Sequence, residues 1–242
     1  MTDYIHRTYR NFDAHEKLIP FQVRIKETDL YLKAQKNLEK EALDSVSLYR
    51  GHIENYILLH PDFEKSLIPL PDDHYAPLIV KEMLRVSSLV GVGPMAAVAG
   101  AIAEFVGKAL LRYSSEIIVE NGGDIFVSTD EEISVKIFAG ASPLSEKIAI
   151  RVLPSKMPLG ICTSSGTVGP SLSFGTADAV TIVSSSTALA DAVATAIGNK
   201  VRKAEDIPFS LKVAESLPGI KGVVIIVDGK MGVWGDIELI KL

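Results

Sequence analysis

Cysteine is almost absent from this chain. The single thiol, Cys162, excludes an intrachain disulfide and any multi-cysteine metal site, and gives no sign of an oxidising compartment. An excess of positive charge is also lacking. The formal net charge is -5, and no Lys/Arg cluster resembles a phosphate-tracking patch, so nucleic acid is not an expected partner. The opening MTDYIHRTYRNFD is charged and has no apolar core of a signal peptide. A membrane span is missing as well. The longest apolar run, 89–111, holds Pro94 and Glu104 and is dominated by Ala and Gly, which suits a buried helix better. These absences together point to a cytoplasmic protein without a membrane partner. Histidine is sparse too: residues 6, 15, 52, 60 and 74 show no metal-pair spacing such as H-x3-H and read as surface or helix-end residues.

What is present is an ordinary globular composition, 47% hydrophobic and 23% charged over 242 residues. That length suits one domain, 1–242, with subdomains 1–155 and 156–242 as the alternative division. Short strands are expected at 21–25 and 29–34. Leu38, Ala42, Val46 and Tyr49 then recur at helical spacing, and His60-Pro61 ends that helix. A proline-rich connector, 68–77, leads to a helix over 78–90 broken by GVGP, and Pro94 can open the next helix. Gly93, Gly100 and Gly107 recur every seven residues, a stripe that lets a backbone approach closely. Further on come a hairpin around NGGD (116–128), strands at 133–139, 147–153 and 178–184, a helix in 184–199, a short one in 207–216, and a last hairpin at 222–237. The fold class is therefore α+β, with mixed sheets.

One internal comparison is informative. AVAGAIAEFVG (97–107) and ALADAVATAIG (188–198) align without gaps, and each precedes a hairpin, IIVENGGDIFV (117–127) and IIVDGKMGVWG (225–235). This pattern predicts a duplicated helix–hairpin unit. The second helix differs from the first in a telling way: it has Asp191 and Thr195 where the first has Gly100 and Glu104.

Asp191 and Thr195 lie one turn apart on one helix face, where a carboxylate and a hydroxyl can both ligate a hard cation such as Mg2+. A plainer reading also accounts for them: an acid near a helix start complements the dipole, and a threonine can bond back to a carbonyl. Asn121-Gly122-Gly123-Asp124 reads as a hairpin turn, or as glycines that admit a phosphate or ring against bare backbone. GICTSSGTVGPS (160–171) reads as a polar, glycine-punctuated loop able to bind phosphate. It contains no G-x-S-x-G and has no evident histidine partner, which argues against a nucleophilic serine. The adjacent Cys162 reads as buried and inert.

In this order, ENGGDI (120–125), TSSG (163–166) and ADAVATAI (190–197) resemble the FAD:protein FMN transferase (ApbE-like) superfamily, and the whole chain resembles an uncharacterised prokaryotic branch of it. The resemblance implies an ApbE-like fold over most of the chain, FAD or FMN and Mg2+ as cofactors, Asp191 and Thr195 as metal ligands, and a ligand site formed by Gly122, Gly123, Asp124, Ser164, Ser165 and Gly166. It further implies transfer of FMN to a target threonine. The chain departs from the family at two places. GPMAAVAGAIAE stands where a Gly-rich stretch with a lysine is expected, and 167–177 contains no His, Lys, Arg or acid. Two functions therefore follow: a protein binding a flavin or other nucleotide with Mg2+, with transferase activity undecided, or a non-catalytic binding or scaffold protein that kept the fold. A third is different chemistry on a phosphorylated metabolite. The small-residue helix and apolar strands are compatible with a homodimer.

Overall fold

The computed structural model describes residues 17–166 and 174–242. Its first hairpin joins β1 (Ile19–Ile25) to β2 (Thr28–Ala34). Helices α1 (Glu39–Leu59), the short α2 (Asp62–Lys65), α3 (Leu78–Val90) and α4 (Val98–Leu110) follow. The second hairpin is β3 (Ile117–Asn121) and β4 (Asp124–Ser128). Next come β5 (Ile133–Lys136), β6 (Ile148–Val152), β7 (Leu159–Ser164) and β8 (Ala179–Ser184). Helices α5 (Thr187–Gly198) and α6 (Ile207–Glu215), then β9 (Ile220–Val227), β10 (Lys230–Gly235) and β11 (Glu238–Lys241), complete the chain.

Eight strands form one sheet in the order β1-β2-β3-β4-β7-β8-β9-β10, and β11-β6-β5 form a second. The α+β class holds. The strand directions are not mixed, however: every recorded pairing is antiparallel. The reason is local, because most neighbouring strands in the large sheet are joined by hairpins or are separated by helices that return the chain in the opposite sense. Along the large sheet the strands follow chain order, with β5 and β6 diverted to the second sheet, and helices stand between β2 and β3 and between β8 and β9.

Alternation of side chains divides the large sheet between two cores. Ile117, Val119, Phe126, Cys162, Val180 and Ile182 face the helix layer. Ile118, Ile125, Val127, Ile161 and Val183 face the three-stranded sheet. The layers are thus helices, large sheet and small sheet. The glycine stripe does what its spacing implies. A Cβ at Gly100 would lie 2.5 Å from the Thr187 carbonyl oxygen, one at Gly107 would enter the Phe126 ring, and one at Gly93 would meet Ser66. The α4 backbone therefore lies directly on α5 and the sheet. The apolar run of 89–111 does not form one rod. Gly91 ends α3 in the left-handed region at φ 79°, and the next helical segment leaves at 105°. Among the described residues no single helix is long and apolar enough to cross a membrane.

Candidate ligand and metal site

Period-2 alternation puts Asn121, Asp124, Cys162 and Ser164 on the helix-covered face, since they share parity with Val119, Phe126 and each other along their strands. The β3–β4 turn places Asn121 opposite Asp124, with Gly122 at φ 68° and Gly123 at φ 107°. Two consecutive positive φ values are what a two-residue hairpin of this twist requires, and glycine adopts them without strain. The turn is also bare. A Cβ on Gly122 would meet nothing within 4 Å, and one on Gly123 only the Thr163 carbonyl oxygen at 3.6 Å. The Gly123 N–H donates to Glu120 Oε1 at 2.8 Å, which fixes the turn against its own strand.

Asp124 pairs across the sheet with Cys162, and α5 crosses over them. The Cys162 thiol donates to the Thr187 carbonyl oxygen at 3.3 Å and also bonds to Asp124. Asp191, one turn into α5, accepts the Gly100 N–H at Oδ2, 2.8 Å away. Asn121 Nδ2 donates to the Ala99 carbonyl at 3.0 Å. The first turn of α4, the glycine hairpin and the middle of α5 are thereby tied together.

The electrostatics are unusual. Asp191 is pushed up to about 7 by burial, against the lowering effect of the Gly100 and Ala99 N–H groups. Asp124 is also raised well above the carboxylate range, by burial first and then by the charge of Asp191, with Glu120 adding to it. Burial and the same two aspartates raise the Cys162 thiol, which makes it a poor nucleophile. No lysine, arginine or histidine figures among the groups acting on either aspartate. Among the described residues, then, burial is the first influence on both carboxyls, and Asp191 adds to it at Asp124.

The expected site residues divide as follows. Gly122, Gly123, Asp124 and Asp191 lie together. Ser164 ends β7 beside the C-terminal end of α5, where a Cβ on Gly198 would lie 3.4 Å from Ser164 Oγ. Ser165 and Gly166 continue from it, and the Gly166 N–H donates to the Ala177 carbonyl at 2.9 Å. Thr195 is half-buried one turn beyond Asp191. The expected loop at 160–171 needs correction: its first part is strand β7, because Gly160 lets the start of α5 lie directly against the sheet. The remainder, 167–173, lies outside the described residues.

As a donor set for a cation, this arrangement supplies hard oxygen atoms, from carboxyls that burial holds toward the protonated form until a cation displaces the proton. No group of three or more His, Cys, Asp or Glu side chains that could hold a metal occurs among the described residues. Mg2+ commonly takes one or two carboxylates and completes its shell with water and substrate phosphate, so Asp191 and Thr195 fit that ion as a partial set. Two cavities lie elsewhere. One of about 830 Å³ is walled by α3, α4 and the start of α5, and one of about 450 Å³ opens between the two sheets near Arg151 and Lys221. Neither includes the hairpin glycines, Asp124 or Asp191. Glu104 is not among the site residues expected from the sequence, where it stands out only as a charge in an apolar run and as the counterpart of Thr195 in the paired helices.

A helix layer over an antiparallel sheet, with Asp191 above a glycine hairpin, defines a protein of the ApbE flavin-transferase fold. The apo crystal structure of Pseudomonas stutzeri flavinyl transferase ApbE matches with a TM-score of 0.57, covering 90% of this chain and 94% of that one at 12% identity. The ApbE protein of Thermotoga maritima matches with a TM-score of 0.52, covering 91% and 96%, also at 12% identity. At that identity the likeness is one of fold. The family is shown by sequence: the chain belongs to the family described as AbpE bacteria, whose model matches residues 10–231. Relatives include a UPF0280 protein of Methanothrix thermoacetophila, 44% identical over 79% of this chain and 81% of that protein. Another, from Methanosarcina acetivorans, is 39% identical over 91% and 87%.

Proposed function

We propose that this protein binds a flavin nucleotide, FAD or FMN, together with Mg2+ at the rim formed by the β3–β4 turn, the end of β7 and α5, and that it acts in the cytoplasm. Asp191 and Thr195 hold the cation. Gly122, Gly123, Asp124, Ser164, Ser165 and Gly166 contact the nucleotide. The observation that carries this reading is the pair Asp124 and Asp191: two buried carboxyls, beside a bare glycine turn, with no basic group to balance them. Burial without compensation is costly, and sites that bear it are enriched in binding and catalysis. A cation bridging to a diphosphate would supply the missing charge and offset charge developing in phosphoryl transfer.

A second reading rests on a specific observation. No Lys, Arg or His acts on the Asp124–Asp191 pair, and 167–177 contains none. Binding without transfer, in a scaffold or carrier of the nucleotide, needs no such group. One titration separates the readings. Purified protein is mixed with FAD, FMN or ADP, with and without Mg2+, following flavin fluorescence and melting temperature. A nucleotide at 100 times its dissociation constant stabilises the fold by about 2.7 kcal/mol. Flavin binding without FMN transfer to a threonine-containing acceptor supports the second reading. No shift with either flavin removes the cofactor assignment and leaves a phosphorylated metabolite as the ligand class.

A further inference from the structure

Helices α4 and α5 cap each other. The N-cap residue of α4, Ala97, has no capping side chain, and the N–H group of Gly100 donates instead to Asp191 on α5. The exchange runs the other way at the start of α5. Glu104 of α4 accepts the Ala188 N–H at Oε2, 3.0 Å away, and the Ser186 hydroxyl at the same oxygen, also at 3.0 Å. Ser186 is the N-cap of α5 and accepts the Leu189 N–H. The other oxygen of Glu104 takes Lys108 Nζ at 2.6 Å, and the Glu104 side chain is only 5% exposed. Each helix thus supplies the anion that satisfies the orphan N–H groups and the positive dipole end of its partner. At the contact between them, Gly100 leaves no room for a side chain against Thr187 and Asp191.

A carboxylate that holds the start of α5 also sets where Asp191 and Thr195 fall along it. One charge-assisted bond from a buried acid has a narrow range of length and angle. Release of the Ala188 N–H lets the first turn of α5 shift or fray, and Asp191 begins the second turn. Glu82 approaches the same hydroxyl, at 3.3 Å from Ser186 Oγ, but it is already forked to Arg85. Glu104 alone bonds the helix backbone. We propose that Glu104 is a positioning residue for the site at Asp191 and Thr195, acting through the reciprocal capping of α4 and α5. This inference rests on the cation-binding role proposed above for those two residues.

The test compares two replacements of similar size. Glu104→Gln keeps an acceptor oxygen for Ala188 and Ser186, whereas Glu104→Met keeps the volume and loses the acceptor. Two measurements are made on the full chain: Mn2+ affinity by electron paramagnetic resonance, and residue-resolved amide hydrogen exchange. Glu104→Met is expected to weaken Mn2+ binding about tenfold or more, on the scale of lost outer-shell support. It is also expected to raise exchange at Gly100, which bonds Asp191 and not Glu104, while strand β8 stays protected. Glu104→Gln should restore most of both. If Met and Gln behave alike, or if exchange rises only at Ala188, Glu104 merely packs and the proposal falls. Should Glu104→Met fail to fold, Ser186→Ala, which removes one partner of the same oxygen, takes its place with the same expected pattern. If the unaltered protein binds no Mn2+, the cation assignment fails, and the exchange data still decide the role of Glu104.

Discussion

The paired helices carry two buried carboxylates that the protein treats in opposite ways. Glu104 on α4 has a lysine, a serine hydroxyl and a backbone N–H around it. Asp191 on α5 accepts the Gly100 N–H, and among the described residues the charged group that acts with it is a second acid, Asp124. Both cap a helix, so capping alone does not explain the difference. A fold that needed only two caps could have balanced both charges. Leaving one unbalanced, beside a turn without side chains, is what a ligand site requires and a structural cap does not.

The largest expected effect breaks the contact on which both depend. In Gly100→Val the new side chain meets the Thr187 carbonyl and the Asp191 Cβ. Overpacking of this kind costs about 3 kcal/mol, at the upper end of its usual range. For a chain of this size that corresponds to a fall of roughly 6–12 °C in melting temperature. A fall of under 2 °C in calorimetry would mean that the helices are not in the close contact described. The same variant should lose nucleotide and Mn2+ binding even where it remains folded.

The next separates the two carboxylates by pH. The folded-state carboxyl of Asp191 is raised from 3.8 to about 7. The folded protein therefore holds a proton that the unfolded chain has released, and stability from this group is complete below about pH 4 and declines as pH rises through 7. Asp191→Asn keeps an acceptor for the Gly100 N–H and removes the titration. Melting curves from pH 5 to 8 should fall less steeply for the variant, which should gain on the order of 1–2 kcal/mol at pH 8. Some slope remains because Asp124 is raised as well. Equal slopes in variant and parent would place the proton elsewhere. Mg2+-dependent binding is expected to disappear in the same protein, which distinguishes the ligand role from the cap.

Much of this was legible in the sequence, and the rest has identifiable physical reasons. Helix ends were marked by His60-Pro61 and by Gly91, and the hairpins by NGGD and by Asp228-Gly229, because these depend on local backbone preference. In ADAVATA the i, i+4 spacing fixes only that Asp191 and Thr195 share a helix face, and their assignment to a site comes from the resemblance of the motif. Strand β7 was hidden because Gly160, Thr163 and Ser164 are what a loop would also use. Its glycine serves a helix 27 positions away, a contact no local pattern reports. Strand β11 is four residues long and pairs with β6, far back in the chain. Glu104 read as a charge that weakened an apolar run. Its role appears only when the end of another helix is placed against it.

The smallest expected effect tests where the site stops. Thr195 occupies in α5 the position that Glu104 occupies in α4, yet it bonds no helix end. No side-chain hydrogen bond of Thr195 is found among the described residues, and the side chain is half-buried. Thr195→Val preserves shape and removes only the hydroxyl. If Thr195 is a scaffold residue, nothing follows beyond a stability change within about 0.5 kcal/mol. If it completes the cation shell with Asp191, stability is equally unchanged while Mg2+-dependent nucleotide affinity drops roughly tenfold, the worth of one good polar contact. Isothermal titration of the variant with ADP and Mg2+ reads both. An unchanged affinity would remove Thr195 from the cation shell and leave Asp191 as its proposed ligand, one helical turn nearer the start of α5.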